Sequence, residues 1–179
     1  MDASQGDRPV TRPAALTITC LAVFVVTMTA LFAPFPKLIW NASASVPIGL
    51  YSVRPANTHR VGDLVAVRPP QALAAFLDTR GYLASGVPLL KRVAALPGQV
   101  VCRIGRTIIV DGVTMGLALD RDRVGRILPA WEGCRFVADE EVFLMNRRSQ
   151  NSLDGRYFGP LSASTIVGRA SPVWIIEAR

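Results

Sequence analysis

Hydrophobic positions fall into two regimes along the chain. No charged residue occurs between Arg12 and Lys37, and Ala14 to Ala33 reads AALTITCLAVFVVTMTALFA. As a helix, such a run meets the roughly 20 apolar residues needed to cross a bilayer core. Arg8 and Arg12 precede it, which favours an amino terminus on the inner side. Pro34 and Pro36 are expected to stop the helix, and Trp40 suits a membrane–water interface. The expected layout is a cytoplasmic tail over 1–13, a transmembrane anchor over 14–35 and an exported domain over 36–179, periplasmic in a Gram-negative cell. The competing reading is a cleaved signal peptide. Its small-residue site, Ala42-Ser43-Ala44, lies well beyond the apolar run, and the run exceeds a signal peptide's usual apolar region, so a retained anchor is favoured. Either way the rest of the chain is exported.

From Tyr51 onward the apolar runs are short. Leu64–Val67 follows the turn signal Gly62-Asp63, and Pro88–Val93 is apolar around one lysine. Val100–Cys102 and Thr107–Val110 read as paired strands joined by a turn over 103–106, with a further turn at Asp111-Gly112. Glu141–Met145 and Pro172–Ile176 supply later strands. One helix is expected outside the membrane segment, Gln71–Thr79, opened by Pro69-Pro70. The pattern predicts a mainly β domain, a coiled sheet or barrel, behind one amino-terminal membrane helix.

Composition narrows the chemistry. The chain has 179 residues, half of them hydrophobic, which suits one domain plus an anchor. The net charge is +7, but the arginines are dispersed. No basic stripe or aromatic-interleaved patch accompanies them, so nucleic acid is not an expected partner. His59 is the sole histidine, and the cysteines are Cys20, Cys102 and Cys134. No metal motif is present, and neither a metal nor an organic cofactor is expected. In an exported domain Cys102 and Cys134 either pair or remain separate buried thiols.

A nucleophilic serine requires a base within reach. His59 sits in the polar segment Asn57-Thr58-His59-Arg60 and is expected to face solvent, which leaves lysine as the familiar partner. Of the 20 Lys and Arg residues only Lys37 and Lys91 are lysines. Lys37 belongs to the expected membrane edge. Strand alternation puts Lys91 on one face with Leu89 and Val93, where desolvation favours the neutral amine. Arginine does not lose its proton in proteins and cannot replace it as a base. On position alone, a lysine snorkelling at a sheet edge is the favoured reading. Ser43 and Ser45 lie in Asn41-Ala42-Ser43-Ala44-Ser45-Val46-Pro47-Ile48-Gly49-Leu50-Tyr51, where Pro47 and Gly49 define a turn able to present hydroxyl and backbone N–H groups together. Ser152, Asp154 and Arg156 occupy Ser152-Leu153-Asp154-Gly155-Arg156-Tyr157-Phe158-Gly159-Pro160; Asp154 and Arg156 are close enough for a local ion pair.

These three clusters, in this order and with Lys91-Arg92-Val93-Ala94-Ala95-Leu96-Pro97-Gly98 as the second, resemble the type I signal peptidase superfamily. Within it they resemble the conjugative-transfer peptidases of the TraF family. Gly62-Asp63-Leu64-Val65 matches the strand after the serine box. The resemblance runs from about Asn41 to the carboxy terminus. It implies Ser45 as nucleophile and Lys91 as general base, with Ser43 lining the oxyanion site and Ser152 orienting the lysine. Asp154 and Arg156 fall on the family's structural ion pair, the aspartate also having an accessory catalytic assignment in the TraF branch. Only Val46 separates Ser45 from Pro47, whereas housekeeping signal peptidases place two residues there. This spacing fits the TraF branch.

The resemblance implies a membrane-anchored serine endopeptidase that processes, or cyclises, a conjugative pilin precursor or similar preprotein. Small residues are expected before the cut, and conjugation-apparatus proteins are candidate partners. A serine only nine residues beyond Pro36 is at most about 30 Å along an extended chain from the expected bilayer edge. The alternatives are a general type I signal peptidase and, in a different class, a non-catalytic periplasmic assembly factor of a secretion channel.

Overall fold

A computed structural model of the chain describes residues 12–31 and 38–176. Arg8, Pro34, Pro36 and Lys37, to which the sequence gives roles around the anchor, lie outside the described residues. Contacts divide the chain into one unit over Met1–Phe35 and a second over Pro36–Arg179.

The first unit is helix α1, Arg12–Leu31. Thr17, Thr19 and Thr27 each turn their hydroxyl onto the carbonyl four residues back, so these polar groups are satisfied within the helix. Leu16, Ile18, Leu21, Val23 and Phe24 are all exposed. Its side chains are described only as far as Met28, and among the described residues no helix is long and apolar enough to cross a membrane.

The second unit is mainly β. Its elements are β1 (Leu38–Asn41), β2 (Gly49–Arg54), β3 (Leu64–Val67), α2 (Gln71–Thr79), β4 (Leu89–Ala95), β5 (Val100–Ile104), β6 (Thr107–Val110), β7 (Val113–Leu117), β8 (Gly133–Phe136), β9 (Glu141–Leu144), α3 (Gly155–Phe158), β10 (Leu161–Ser162) and β11 (Ile166–Ile175). A seven-stranded sheet runs in the order β1-β2-β11-β3-β4-β9-β10, and a four-stranded sheet in the order β7-β6-β5-β8.

Strand β3 is buried at every position, as in strands covered on both faces. Leu64 and Ala66 join Leu90, Tyr51, Val53 and Ala170 in one core layer. Val65 and Val67 join Val93, Val142 and Leu144 in the other, with Leu89 packed against it. Because Val65 opposes Lys91 across the β3–β4 ladder, the lysine is held in that second layer. The smaller sheet packs Val101, Ile108 and Val110 against Phe143, Met145 and Val137.

Some expectations need adjusting. The β5–β6 turn is the two residues Gly105-Arg106, not 103–106. Gly105 provides the positive φ of 58° that glycine adopts without penalty. Arg103 therefore lies inside β5. It is buried there because its guanidinium reaches the carbonyls of Gly105 and Arg156. Strand β11 begins at Ile166, well before Pro172, which it tolerates beside an irregularity between Pro172 and Trp174. Cys102 and Cys134 stand directly opposite each other on β5 and β8 and are joined as a disulfide.

Gly49 marks the tightest backbone approach. Its φ is 155°, and a Cβ there would lie 2.1 Å from the Trp174 carbonyl oxygen of β11. Gly49→Ala is expected to force β2 and β11 apart and to cost at least about 2 kcal/mol. A urea midpoint unchanged from wild type would contradict this.

Candidate active site

The β1–β2 hairpin closes with Asn41 opposite Gly49, and the turn between them carries Ser43 and Ser45. Tyr51, on β2, donates its phenol to the Pro47 carbonyl at 2.6 Å. Asn41 is 8% exposed. Its Nδ2 donates to the carbonyls of Ser43, Val46 and Pro47 at 2.8, 3.2 and 3.0 Å. Its Oδ1 accepts from Ser43 N at 3.2 Å and Ser43 Oγ at 2.9 Å. Ser43 Oγ lies 3.0 Å from Ser45 Oγ, and Ser45 is half-buried.

Lys91 lies on β4 and is 4% exposed. Its Nζ donates to Ser152 Oγ at 2.8 Å. The pocket around it, mostly apolar through Val67, Leu73, Leu89, Leu144 and Phe158 but with Asp154 in one wall, leaves only about 10 Å³ of room, space for one water at most. Burial is the main reason its pKa falls from 10.5 to about 8; the Asp154 carboxylate opposes this and the Arg156 guanidinium adds to it.

Behind the lysine, Asp154 and Arg156 form a doubly hydrogen-bonded pair, Nε to Oδ1 and Nη2 to Oδ2, each 2.9 Å. Neither side chain is more than 1% exposed. Asp154 also caps α3 by accepting from Arg156 N, and it accepts from Asn146 N at 3.0 Å. Arg156 donates onward to the carbonyls of Asn146 and Ser149. Its Nη1 reaches the carbonyls of Leu117 and Gln150 at 3.4 and 3.5 Å, so each guanidinium nitrogen and both carboxylate oxygens have partners, the condition under which such a pair is tolerated.

The structure thus brings Lys91, Ser152, Asp154 and Arg156 into one network and Ser43 and Ser45 into another. No hydrogen bond joins Ser45 to Lys91 among the described residues, although the sequence leads one to expect that contact. Catalytic hydrogen bonds are commonly long before substrate binds. His59 is half-buried rather than solvent-facing, and burial lowers its pKa. No serine or cysteine bonds to it among the described residues. Cys102 and Cys134 lie on the smaller sheet, whereas the serine turn and Lys91 belong to strands of the larger one. No cluster of metal ligands occurs among the described residues.

Residues 10–175 match the family profile described as "Signal peptidase, peptidase S26". The chain belongs to that family. A conjugal transfer protein TraF from Agrobacterium fabrum is 36% identical over 76% of this chain and 82% of its own length. A plasmid transfer protein TraF from Escherichia coli is 34% identical over 74% of this chain and 80% of its own. A probable signal peptidase I-1 from Synechocystis is 32% identical over 62% of this chain and 52% of its own. The S26 peptidases and the conjugal-transfer proteins therefore meet in this sequence.

Two residues of this S26 site escape the sequence reading. Asn41 is visible there only as part of a motif, with no role. Asn146 has no signal at all. Its side chain accepts from Arg92 N at 3.0 Å and donates to the Leu90 carbonyl at 3.1 Å, completing the backbone bonds on either side of Lys91. Because its own N–H is bound to Asp154, it ties the lysine strand to the ion pair. A side chain that bonds to main chain 54 and 56 residues away leaves no local pattern to read.

Proposed function

We propose that this S26-family chain is a membrane-anchored serine endopeptidase that processes a pilin precursor or similar exported preprotein of a conjugation system. The observation that carries the reading is a lysine enclosed in an apolar pocket with its amine on a serine hydroxyl, in a family of peptidases. At pH 7 a group with a pKa of about 8 is roughly one-tenth neutral, some 300-fold more than an ordinary lysine. That fraction supplies a base.

In the proposed reaction the Lys91 amine takes the proton of Ser45 as Oγ bonds to the scissile carbonyl carbon. The Ser45 backbone N–H and the Ser43 hydroxyl meet the oxyanion. Collapse breaks the C–N bond, and the leaving amine takes the proton back from Lys91. A second amine or water then attacks the ester carbonyl and gives a proton to Lys91, which returns it to Ser45 Oγ as the ester C–O bond breaks. If water attacks, the product is linear; if the substrate's own amino terminus attacks, it is cyclic. Ser152 orients Lys91, and the Asp154–Arg156 pair holds the segment that carries Ser152. A cleft of about 300 Å³ beside the serine turn, lined by Pro47, Tyr51, Leu64, Arg92 and Arg169, is wide enough for substrate side chains.

Membrane attachment is supported by α1, whose exposed apolar side chains and internally satisfied threonines suit lipid better than water. In the second unit, exposed Trp40 and Trp174 stack at 5.8 Å, the kind of residue enriched at bilayer interfaces. A Cys102–Cys134 disulfide suits an oxidising compartment such as the periplasm.

The test is processing of candidate precursors by wild type and Ser45→Ala, with mass spectrometry of the products. Wild type is expected to give one defined cleavage, and Ser45→Ala to lose at least about 10³-fold. A product one water lighter than the linear peptide identifies cyclisation. Equal processing by Ser45→Ala would remove the assignment, and broad processing of unrelated preproteins would favour a general signal peptidase.

A further inference from the structure

The orientation of Asn41 settles where the hydrogens of the serine turn point. Its Nδ2 faces three carbonyl oxygens, of Ser43, Val46 and Pro47, and its Oδ1 faces the Ser43 N–H. Exchanging the two ends of the carboxamide would set an oxygen against three acceptors and an NH₂ against a donor, so only one orientation is allowed. Oδ1 is therefore an acceptor, and Ser43 Oγ, 2.9 Å away, must be its donor. A hydroxyl has one hydrogen. With that hydrogen committed to Asn41, Ser43 is left to accept across the 3.0 Å contact with Ser45. The Ser45 proton thus points at Ser43 in the resting protein, while Lys91 is engaged with Ser152.

We propose that Asn41 is a positioning residue for the nucleophile, acting through Ser43: it holds Ser43 as the acceptor of the Ser45 proton and so fixes where Ser45 Oγ stands before substrate arrives. Two hydrogens must then turn together for reaction. The Ser45 hydrogen leaves Ser43 for Lys91, and the Ser43 hydrogen leaves Asn41 for the oxyanion. The chain Asn41–Ser43–Ser45 couples these two movements, so the oxyanion donor is released as the nucleophile turns to its base.

This rests on the peptidase reading for its kinetic test, and a second readout stands apart from it. The test is a double-mutant cycle with Asn41→Ala, Ser43→Ala and both together, measured on a cleaved precursor. Asn41→Ala is expected to lower kcat about 10²-fold with KM within about threefold, because the reacting oxygen is misplaced while the substrate surface is kept. In the Ser43→Ala background the same change is expected to cost less than about fivefold, since residues acting as a unit are not additive. The pH midpoint of kcat should not move, because Asn41 does not touch Lys91. Equal losses from Asn41→Ala in both backgrounds, or a loss confined to KM, would overturn the proposal and leave Asn41 as a loop anchor. Thermal unfolding of the same four full-length proteins checks the Asn41–Ser43 link without any substrate. The two Tm losses should fall clearly short of additive; additive losses would overturn the link even if no precursor were ever cut, and a non-additive pattern with no cleavage would fault the peptidase reading alone.

Discussion

Replacing Lys91 with methionine is expected to abolish cleavage, with kcat/KM falling at least about 10³- to 10⁴-fold, while the protein stays folded and gains stability at neutral pH. The two effects have one cause. Burial lowers the pKa of Lys91 to about 8 from 10.5, so folding disfavours its charged form. In the pH window from about 8 to 10.5 the unfolded chain binds more protons than the folded one, and stability rises with pH across it. Below about pH 8 the penalty is complete, worth roughly 3 kcal/mol. Methionine fills a similar volume without charge and removes that penalty, although it leaves Ser152 Oγ short of a donor. Lys91→Arg should be equally inactive, because its guanidinium stays protonated, and it should be less stable than wild type because a permanent charge replaces a removable one. In wild type, kcat/KM should rise with pH and level off above about 8. Denaturation midpoints at pH 6 and 10 together with initial rates from pH 6 to 10 provide the check. A Lys91→Met protein retaining a tenth of the wild-type rate, or a wild-type profile flat across that range, would exclude Lys91 as the base.

The second large effect is expected at Asp154. Its carboxylate accepts four hydrogen bonds, from Asn146 N, Arg156 N, Arg156 Nε and Arg156 Nη2, and Arg156 is among the largest fully buried side chains. Asp154→Ala leaves a guanidinium buried without its counter-charge, a change that costs about 3–5 kcal/mol. Against a total of about 5–15 kcal/mol for an ordinary domain, that is a large share. Activity should fall with it, because Asn146 and Ser152 lose their common support. Asp154→Asn keeps the shape and some of the acceptors, and should fall between wild type and alanine. Chemical denaturation of the three proteins tests this ordering, and a loss under about 1 kcal/mol for Asp154→Ala would show that the pair is solvated after all.

What the sequence makes legible is unequal. Period-2 alternation groups Lys91 with Leu89 and Val93 and sends the exposed Arg92 to the other face, but that the lysine is enclosed follows only from β3 and β9 pairing on either side of β4. Helix α2 is readable from Pro69-Pro70 and its apolar content. The mainly β class follows from short apolar runs between turn residues. Strand β1, Leu38–Asn41, is hidden because its four residues, between the proline-marked sequence break at 34–37 and the serine turn, are too few for a period. Strand β8, Gly133–Phe136, is hidden because it is exposed at all four positions and so carries no burial pattern. The four residues of α3 are too few for a helical period; they are set by the Asp154 cap and the ion pair. The sequence groups Ser43 with Ser45, and Ser152 with Asp154 and Arg156, by motif alone. The work of Asn41 and Asn146 is invisible there because, apart from Asn41's bond to the Ser43 hydroxyl, both act on main-chain groups, which every residue has.

Strand β11 lies between β2, next to the serine turn, and β3, which pairs with the lysine strand. Among the described residues it follows both β2 and β4 in chain order, and in the sheet it joins the strand beside the serine turn to the strand that pairs with that of Lys91. In the proposed enzyme, competence therefore depends on β11 docking between these two strand pairs.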